Sequence, residues 1–287
     1  MAASRPTHIG RRASRALGAV LMALFAASLL AGTALAAKPS APTAKAPTGT
    51  IAANAPTFTW SKVSGAAQYE LRVSQGKALL LKKTGLAKRS WKSSTTLPKN
   101  VDLTWKVRAG NAAGNGPWSK SLTFNIALAI GDSFQGGKVA YLLKSGDPGY
   151  VVGQTHGLIA AKADRATGIP WYNGSFVATG ATATALGAGS ANTDMIIAVQ
   201  GAPAAGYAAG WARAYRGGGY TDWYLPSKDE LNELYLHQAK IGGFGPNYYW
   251  SSSEFDADSA WTQAFDLSSQ NAFSKRGSSY VRAVRAF

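Results

Sequence analysis

The chain has no cysteine among its 287 residues, and only three methionines and three histidines. Without a thiol there can be no disulfide, no cysteine-ligated zinc, no thiol nucleophile and no lipid attached through an N-terminal cysteine. Acidic residues are scarce as well: 14 Asp and Glu stand against 30 Lys and Arg, a formal charge of +16. Beyond residue 36 the histidines are His156 and His237, and a structural hydrogen bond or a role at a helix end is the simpler reading of each. The run Ser251-Ser252-Ser253 has no Gly-x-Ser-x-Gly elbow around it, so a hydrolase nucleophile has little support. Catalysis has little to stand on, no cofactor is expected, and a chain without disulfides must be held together by its cores.

What is present begins with a targeting pattern. Arg5, Arg11, Arg12 and Arg15 precede an uncharged apolar run from Leu17 to Leu35, and Ala34-Leu35-Ala36 puts small residues where a signal peptidase reads. Residues 1–36 are expected to be a signal peptide, delivering the protein to the periplasm, the cell surface or the medium. An uncleaved membrane anchor is the alternative, because the run approaches spanning length. Residues 37–47 mix Pro, Ala, Ser, Thr and Lys and bury no core, so a flexible linker is expected there. The remainder is long enough for two domains.

Residues 48–127 read as all-β. Phe58 and Trp60, then Tyr69, Leu71 and Val73, then Leu103, Trp105, Val107 and Ala109, then Leu122, Phe124 and Ile126 alternate with polar neighbours. A period of two with one apolar face describes half-buried antiparallel strands. Turn signals at Ser64-Gly65, Gln75-Gly76 and Asn111 to Pro117 separate them, which predicts an immunoglobulin-like β-sandwich. Trp60, Tyr69-Glu70-Leu71-Arg72-Val73, Trp105-Lys106-Val107-Arg108-Ala109-Gly110-Asn111 and Gly116-Pro117-Trp118-Ser119 together resemble a fibronectin type III domain. That family more often has Tyr where this chain has Trp105, which puts its usual corner hydrogen bond in question.

Residues 128–287 are organised around Asp222-Trp223-Tyr224-Leu225-Pro226-Ser227-Lys228-Asp229-Glu230-Leu231. Pro226 ends an extended run, and Ser227 with Glu230 forms a capping box. Leu231, Leu234 and Tyr235 then share one helical face, and Gly242-Gly243 is a stop. Strands are expected at 137–143, 157–161, 248–252, 260–266 and 279–286. Helices are expected from Asn192 or Thr193 to Val199 and from Ala204 to Tyr215. Residues 174–189, rich in Ala, Gly and Thr, look like a low-complexity loop. The organising stretch, with Gly136 to Tyr141 and His156 to Ala161 before it and Tyr249 to Glu254 and Tyr280 to Arg285 after it, resembles the Lcl C-terminal domain family, named after a bacterial collagen-like adhesin. The resemblance implies an α+β, C-type-lectin-like fold, a scaffold that mostly binds, with sulfated glycosaminoglycan-type ligands. No collagen-like repeat precedes the domain here. The formylglycine-generating enzymes, which share a related scaffold, need active-site cysteine, and this chain has none.

The charge is unevenly placed. Residues 37–127 carry 14 Lys and Arg against Glu70 and Asp102, whereas residues 128–287 carry 12 basic and 12 acidic residues. If Tyr69, Leu71 and Val73 face inward, Arg72 faces out, and so do Lys106 and Arg108 on the late strand. With Lys82 and Lys83 on the neighbouring edge strand they make a basic strip, rimmed by Lys77, Lys88, Arg89 and Lys92. Such a strip concentrates polyanions with strong salt sensitivity. The alternative is that lysines on exposed edges only prevent edge-to-edge association.

Two further constellations stand out. Glu254, Asp256 and Asp258 alternate after Trp250 and offer oxygen ligands to calcium; the rival is a solvated turn whose carboxylates pair with Arg282 or Arg285. Trp171, Tyr172 and Tyr248 are candidates for stacking on sugar rings, with core filling as the alternative. The expected function is an exported, non-enzymatic binding or adhesion protein for anionic polysaccharide or another extracellular polymer. An envelope scaffold with protein partners is one alternative. A carbohydrate-active enzyme using Asp222 or Glu254 with Asp266 is another.

Overall fold

A computed structural model describes residues 1–2, 37–165, 167–201 and 206–287. The signal peptide expected at residues 1–36 lies, from residue 3 onward, outside the described residues. Among the described residues no helix is long and apolar enough to cross a membrane. They fall into two compact units, one of residues 1–2, 37–49, 55–96 and 102–124, the other of 50–54, 97–101, 125–165, 167–201 and 206–287.

The first nine strands build a sandwich: β1 (Ala44–Ala46), β2 (Gly49–Ile51), β3 (Thr57–Trp60), β4 (Gln68–Gln75), β5 (Ala78–Leu86), β6 (Ser90–Lys92), β7 (Asp102–Asn111), β8 (Gly114–Trp118) and β9 (Leu122–Ile126). One sheet runs β1-β3-β6, the other β2-β9-β7-β4-β5 with β8 alongside β7. The alternating apolar residues do what their period requires: Phe58, Leu71, Val73, Leu103, Val107 and Phe124 are all buried, Phe58 packing edge-on against Trp105 and Phe124. Trp105 meets the missing tyrosine hydrogen bond in its own way, its indole N–H donating to Pro47 O at 2.8 Å.

The stretch expected as a flexible linker, 37–47, is instead partly sheet. Ala44 and Ala46 pair with Trp60 and Thr59, and Asn111 Nδ2 donates to Ala37 O. Small and polar side chains bury no core, but an edge strand needs only its backbone donors and acceptors, which composition does not report.

The second unit is α+β. Its elements are β10 (Ser133–Phe134), β11 (Gly137–Leu142), β12 (Gly157–Ala160), α1 (Gly189–Gln200), α2 (Ala208–Ala214), a 3-10 turn at Gly217–Gly219, α3 (Lys228–Leu236), α4 (Gln238–Ile241), β13 (Tyr248–Glu254), β14 (Ser259–Ala264), β15 (Gln270–Ser274) and β16 (Val284–Ala286). One sheet is β10-β11-β12-β16 and the other β13-β14-β15. Tyr224 and Val284 exchange backbone hydrogen bonds of 2.8 and 2.9 Å, which ties the organising stretch to β16. Helix α1 begins earlier than Asn192: its N-cap is Ala188, without a side-chain cap. Asn192 and Thr193 lie inside the helix, with Asn192 donating to Ala183 O and the Thr193 hydroxyl accepting from Leu225 N. The strand expected at 279–286 shrinks to β16, and β15 goes unforeseen because Gln270 to Ser274 lacks a period-two apolar face.

The capping box forms as the spacing demands. Ser227 Oγ accepts from Glu230 N at 3.2 Å, and Glu230 Oε2 accepts from Ser227 N at 2.8 Å. Glu230 is fully buried and also accepts from Gly187 N and the Tyr224 hydroxyl. Burial pushes its carboxyl above the ordinary glutamate value, a shift these donors only partly offset. The approach is so close that a Cβ on Gly189 would lie 2.2 Å from Glu230 Oε2 and 2.8 Å from Ser227 N. Glycine is required there for space.

The small-residue stretch of residues 174–189 is gripped through its backbone. Thr179 N and Gly180 N donate to Glu254, and Ala181 O accepts from Glu254 N. Ala183 O accepts from Asn192 and from the Ser253 hydroxyl, Thr184 O from Asp229 N, and Ala185 O from the Ser227 hydroxyl. This seam joins the capped helix to β13.

Candidate functional site

The expected basic strip assembles on the outer face of the larger sandwich sheet. Across three neighbouring strands Lys82, Arg72 and Lys106 are direct register partners, and Arg108 sits opposite Glu70 on one side and Trp118 on the other. Paired residues on adjacent strands share a face, so these side chains emerge together. Lys83 does not join them: it pairs with Leu71, which is buried inward, and so belongs to the opposite side of the edge strand. Successive residues of a strand point to opposite faces, so Lys82 and Lys83 part at this step of the ladder. Lys92, expected at the rim, lies on β6 in the other sheet.

Two residues outside the expected strip organise it. The Trp118 ring lies under the charged groups of Arg72, Lys106 and Arg108, at 4.9, 5.1 and 4.5 Å from its centroid. Glu70, buried beneath them, accepts from Arg72 Nε at 3.0 Å and from Arg108 Nε at 2.9 Å, with Lys82 Nζ at 3.9 Å. Burial pushes the Glu70 carboxyl up, but the hydrogen bonds and charges of Arg108 and Arg72 outweigh this and hold it below the usual glutamate value. The face therefore carries four cations and one anion, with the arginine side chains 33% and 23% exposed and Lys82 50%. Glu70 was readable in the sequence, since it shares the parity of Arg72. The role of Trp118 depends on β8 pairing beside Arg108, which no local pattern announces.

The remaining candidates are mostly structural. Trp171 is fully buried, donating its indole N–H to Ser251 O at 2.8 Å, and so presents no face to a sugar. Tyr172 is half-buried and packs on Phe176 at 4.9 Å. Tyr248 is exposed and lies parallel to exposed Phe273, centroids 6.1 Å apart. The calcium reading fails at Glu254, which points inward: its carboxylate takes Thr179 N, Gly180 N and the Lys275 ammonium, the last at 2.6 Å. Asp256 closes a turn, accepting from the Ser259 hydroxyl and from Asp258 N and Ser259 N, and these donors hold its carboxyl below the usual range. Among the described residues no group of three His, Asp or Glu is placed to hold a metal. The alternative pairing with Arg282 or Arg285 is also replaced: Arg282 pairs with Asp164 and Arg285 with Asp222. Asp222 and Glu254, proposed with Asp266 as enzyme carboxylates, are thus each committed to a separate cation. His156 hydrogen-bonds Phe287 O and Gln154 Oε1 through its two ring nitrogens, and His237 closes α3.

No curated protein sequence matches the chain. Among solved structures, the chain is similar to a Fn3-like protein from Clostridium thermocellum, at 16% identity over 32% of this chain and 95% of that one, with a TM-score of 0.26. It is also similar to the fibronectin type-III domain of human fibronectin type III domain containing protein 3, at 21% identity over 36% of this chain and 98% of that one, with a TM-score of 0.28. The sandwich description here rests on the strand order itself. Residues 161–285 match the family model of the Lcl C-terminal domain, and it is this domain that the C-terminal part of the chain carries.

Proposed function

We propose that the protein is an exported, non-enzymatic binding protein whose sandwich holds an anionic polymer, an acidic polysaccharide being the available chemistry outside the cell. The Lcl C-terminal domain, read as a C-type-lectin-like scaffold, supplies the adhesive second unit. One observation carries the reading. Arg72 and Lys106 are in register on β4 and β7, which are interior strands of the sheet. Charges there have no edge to protect, so the edge-guarding explanation that serves Lys82 does not reach them. Four cations on one face, in a segment with 14 basic and two acidic residues, instead suit a ligand of regularly spaced negative charge.

The test is retention of the chain from residue 37 onward on immobilised heparin, with a neutral polysaccharide column as control, eluted by a salt gradient. Lys82→Glu with Lys106→Glu is the informative variant, because it reverses charge without removing the arginines that satisfy Glu70. The double variant should elute at clearly lower salt than wild type, and neither should be held by the neutral column. Wild-type elution below about 0.15 M salt, where charges a Debye length of ~8 Å apart are screened, would sink the proposal. So would co-elution of variant and wild type.

A further inference from the structure

Arg72, Lys106 and Arg108 rise from two strands of the sandwich face, yet their charged groups gather at one ring. They stand 4.9, 5.1 and 4.5 Å from the Trp118 centroid, so no two of them are more than about 10 Å apart. Lys82 takes no part in this gathering and comes only to 3.9 Å from Glu70, from the neighbouring strand. Long basic side chains on a strand face ordinarily sample many rotamers, and fixing one on a ligand costs entropy. Here the Trp118 ring has gathered three of them before any ligand arrives, and Glu70 holds the two arginines among them.

The donors left over can be counted. A guanidinium carries about five N–H bonds. Glu70 takes the Nε side of both arginines: Arg72 Nε and Nη2 lie 3.0 and 2.9 Å from Oε1, and Arg108 Nε lies 2.9 Å from Oε2 with Nη2 beside it. Nη1 of each arginine and the ammonium of Lys106 have no acceptor among the described residues. Two guanidinium ends and one lysine head are therefore free, and each can take an oxygen of an anionic group.

The sheet sets their spacing. Arg72 and Lys106 are register partners on adjacent strands, and neighbouring strands lie about 4.8 Å apart. That interval is close to the length of one sugar residue in an extended polysaccharide. We infer that the face selects polyanions with a charge on every sugar residue, and that Trp118 is the positioning residue responsible, because it keeps Arg72, Lys106 and Arg108 gathered at that spacing. The inference rests on the polyanion reading above. Like charges held close together repel one another. Two closely spaced anions relieve that repulsion, whereas a polymer charged on alternate residues brings one anion to the cluster at a time and leaves the other cations unmatched.

The experiment compares two polymers whose only charges are carboxylates: polygalacturonate, with one on every residue, and hyaluronan, with one on every second residue. Binding to the chain from residue 37 onward is measured by calorimetry at about 0.15 M salt and referred to carboxylate concentration. Wild type should bind polygalacturonate more tightly by about tenfold or more. Trp118→Leu removes the ring and no charge, so a preference due to polymer charge density alone would survive it. The ratio should instead fall by about threefold or more, the scale of one exposed cation–π contact. Trp118→Phe keeps an aromatic face and should retain most of the ratio. Should Trp118→Leu fail to give a cooperative melt, Trp118→Thr takes its place, threonine suiting a strand face. Equal binding of the two polymers by wild type would overturn the inference while leaving the polyanion reading intact. So would a ratio unaltered in a folded variant without the ring. Failure of wild type to be held on heparin would instead remove both.

Discussion

Lys275→Met is the substitution that most directly tests how the second unit is held together. Lys275 is fully buried, and its ammonium donates to Glu254 Oε1 at 2.6 Å, Ala257 O at 2.7 Å and Val177 O at 3.1 Å, while lying 4.7 Å from the Trp171 ring centroid. Methionine fills much of the same volume and makes none of these bonds. It leaves Glu254, 3% exposed, as a carboxylate with amide donors but no counter-charge, and two carbonyls without their donor. Removing one partner of a buried pair costs about 3–5 kcal/mol. With a urea m-value of about 2 kcal/mol/M, the unfolding midpoint of this unit should fall by roughly 1.5–2.5 M. Urea titration followed by tryptophan fluorescence reads it, and a separate sandwich transition serves as an internal control that should not move. Adding Glu254→Gln removes the stranded charge, so the double variant should recover part of the loss. A midpoint shift under about 0.5 M, or a double variant worse than the sum of the singles, would refute the reasoning.

Two further substitutions follow from the packing already described. Glu70→Gln should raise the salt needed to elute the chain from heparin, because it frees Arg72 and Arg108. It should also flatten the acid limb of sandwich stability. The folded carboxyl titrates below its unfolded value near 4.5, so its contribution is complete above that pH and is lost as pH falls through the folded value. Thermal melts of wild type and variant from pH 7 to pH 3 would show the difference. Gly189→Ala should destabilise the second unit by about 1–3 kcal/mol, since the new methyl group meets the buried Glu230 carboxylate and the Ser227 amide; a urea midpoint equal to wild type would contradict this.

How much of this was legible beforehand depended on whether a feature is local. The capping box needs only Ser and Glu three residues apart, and it was read in full. The sandwich strands announced themselves by alternation, and the same parity placed Arg72, Lys82, Lys106 and Arg108 on one face. Lys83 falls outside the strip by that same parity, since it follows Lys82 directly on one strand and pairs with inward-facing Leu71. Trp171, which takes the core-filling alternative, and Glu254, which fits neither the calcium nor the solvated-turn reading, are decided by something else. Their partners lie 80 and 21 residues away, at Ser251 and Lys275, and composition cannot say that an acidic or aromatic side chain will turn inward when its partner comes from another element.

The seam of residues 174–189 has a consequence for how this domain can diverge. Its contacts with Glu254, Ser253, Asn192, Ser227 and Glu230 run through its own amides and carbonyls, which every residue except proline supplies alike. Most of the information that shapes the segment is therefore stored in the residues that hold it. Apart from Gly189, fixed by space, and Gly174, Gly180 and Gly187, whose φ of 102°, 76° and 84° favour glycine, spelling along it can drift among small residues while its length and the five gripping side chains stay fixed. A single inserted residue would put every amide out of step with its holder.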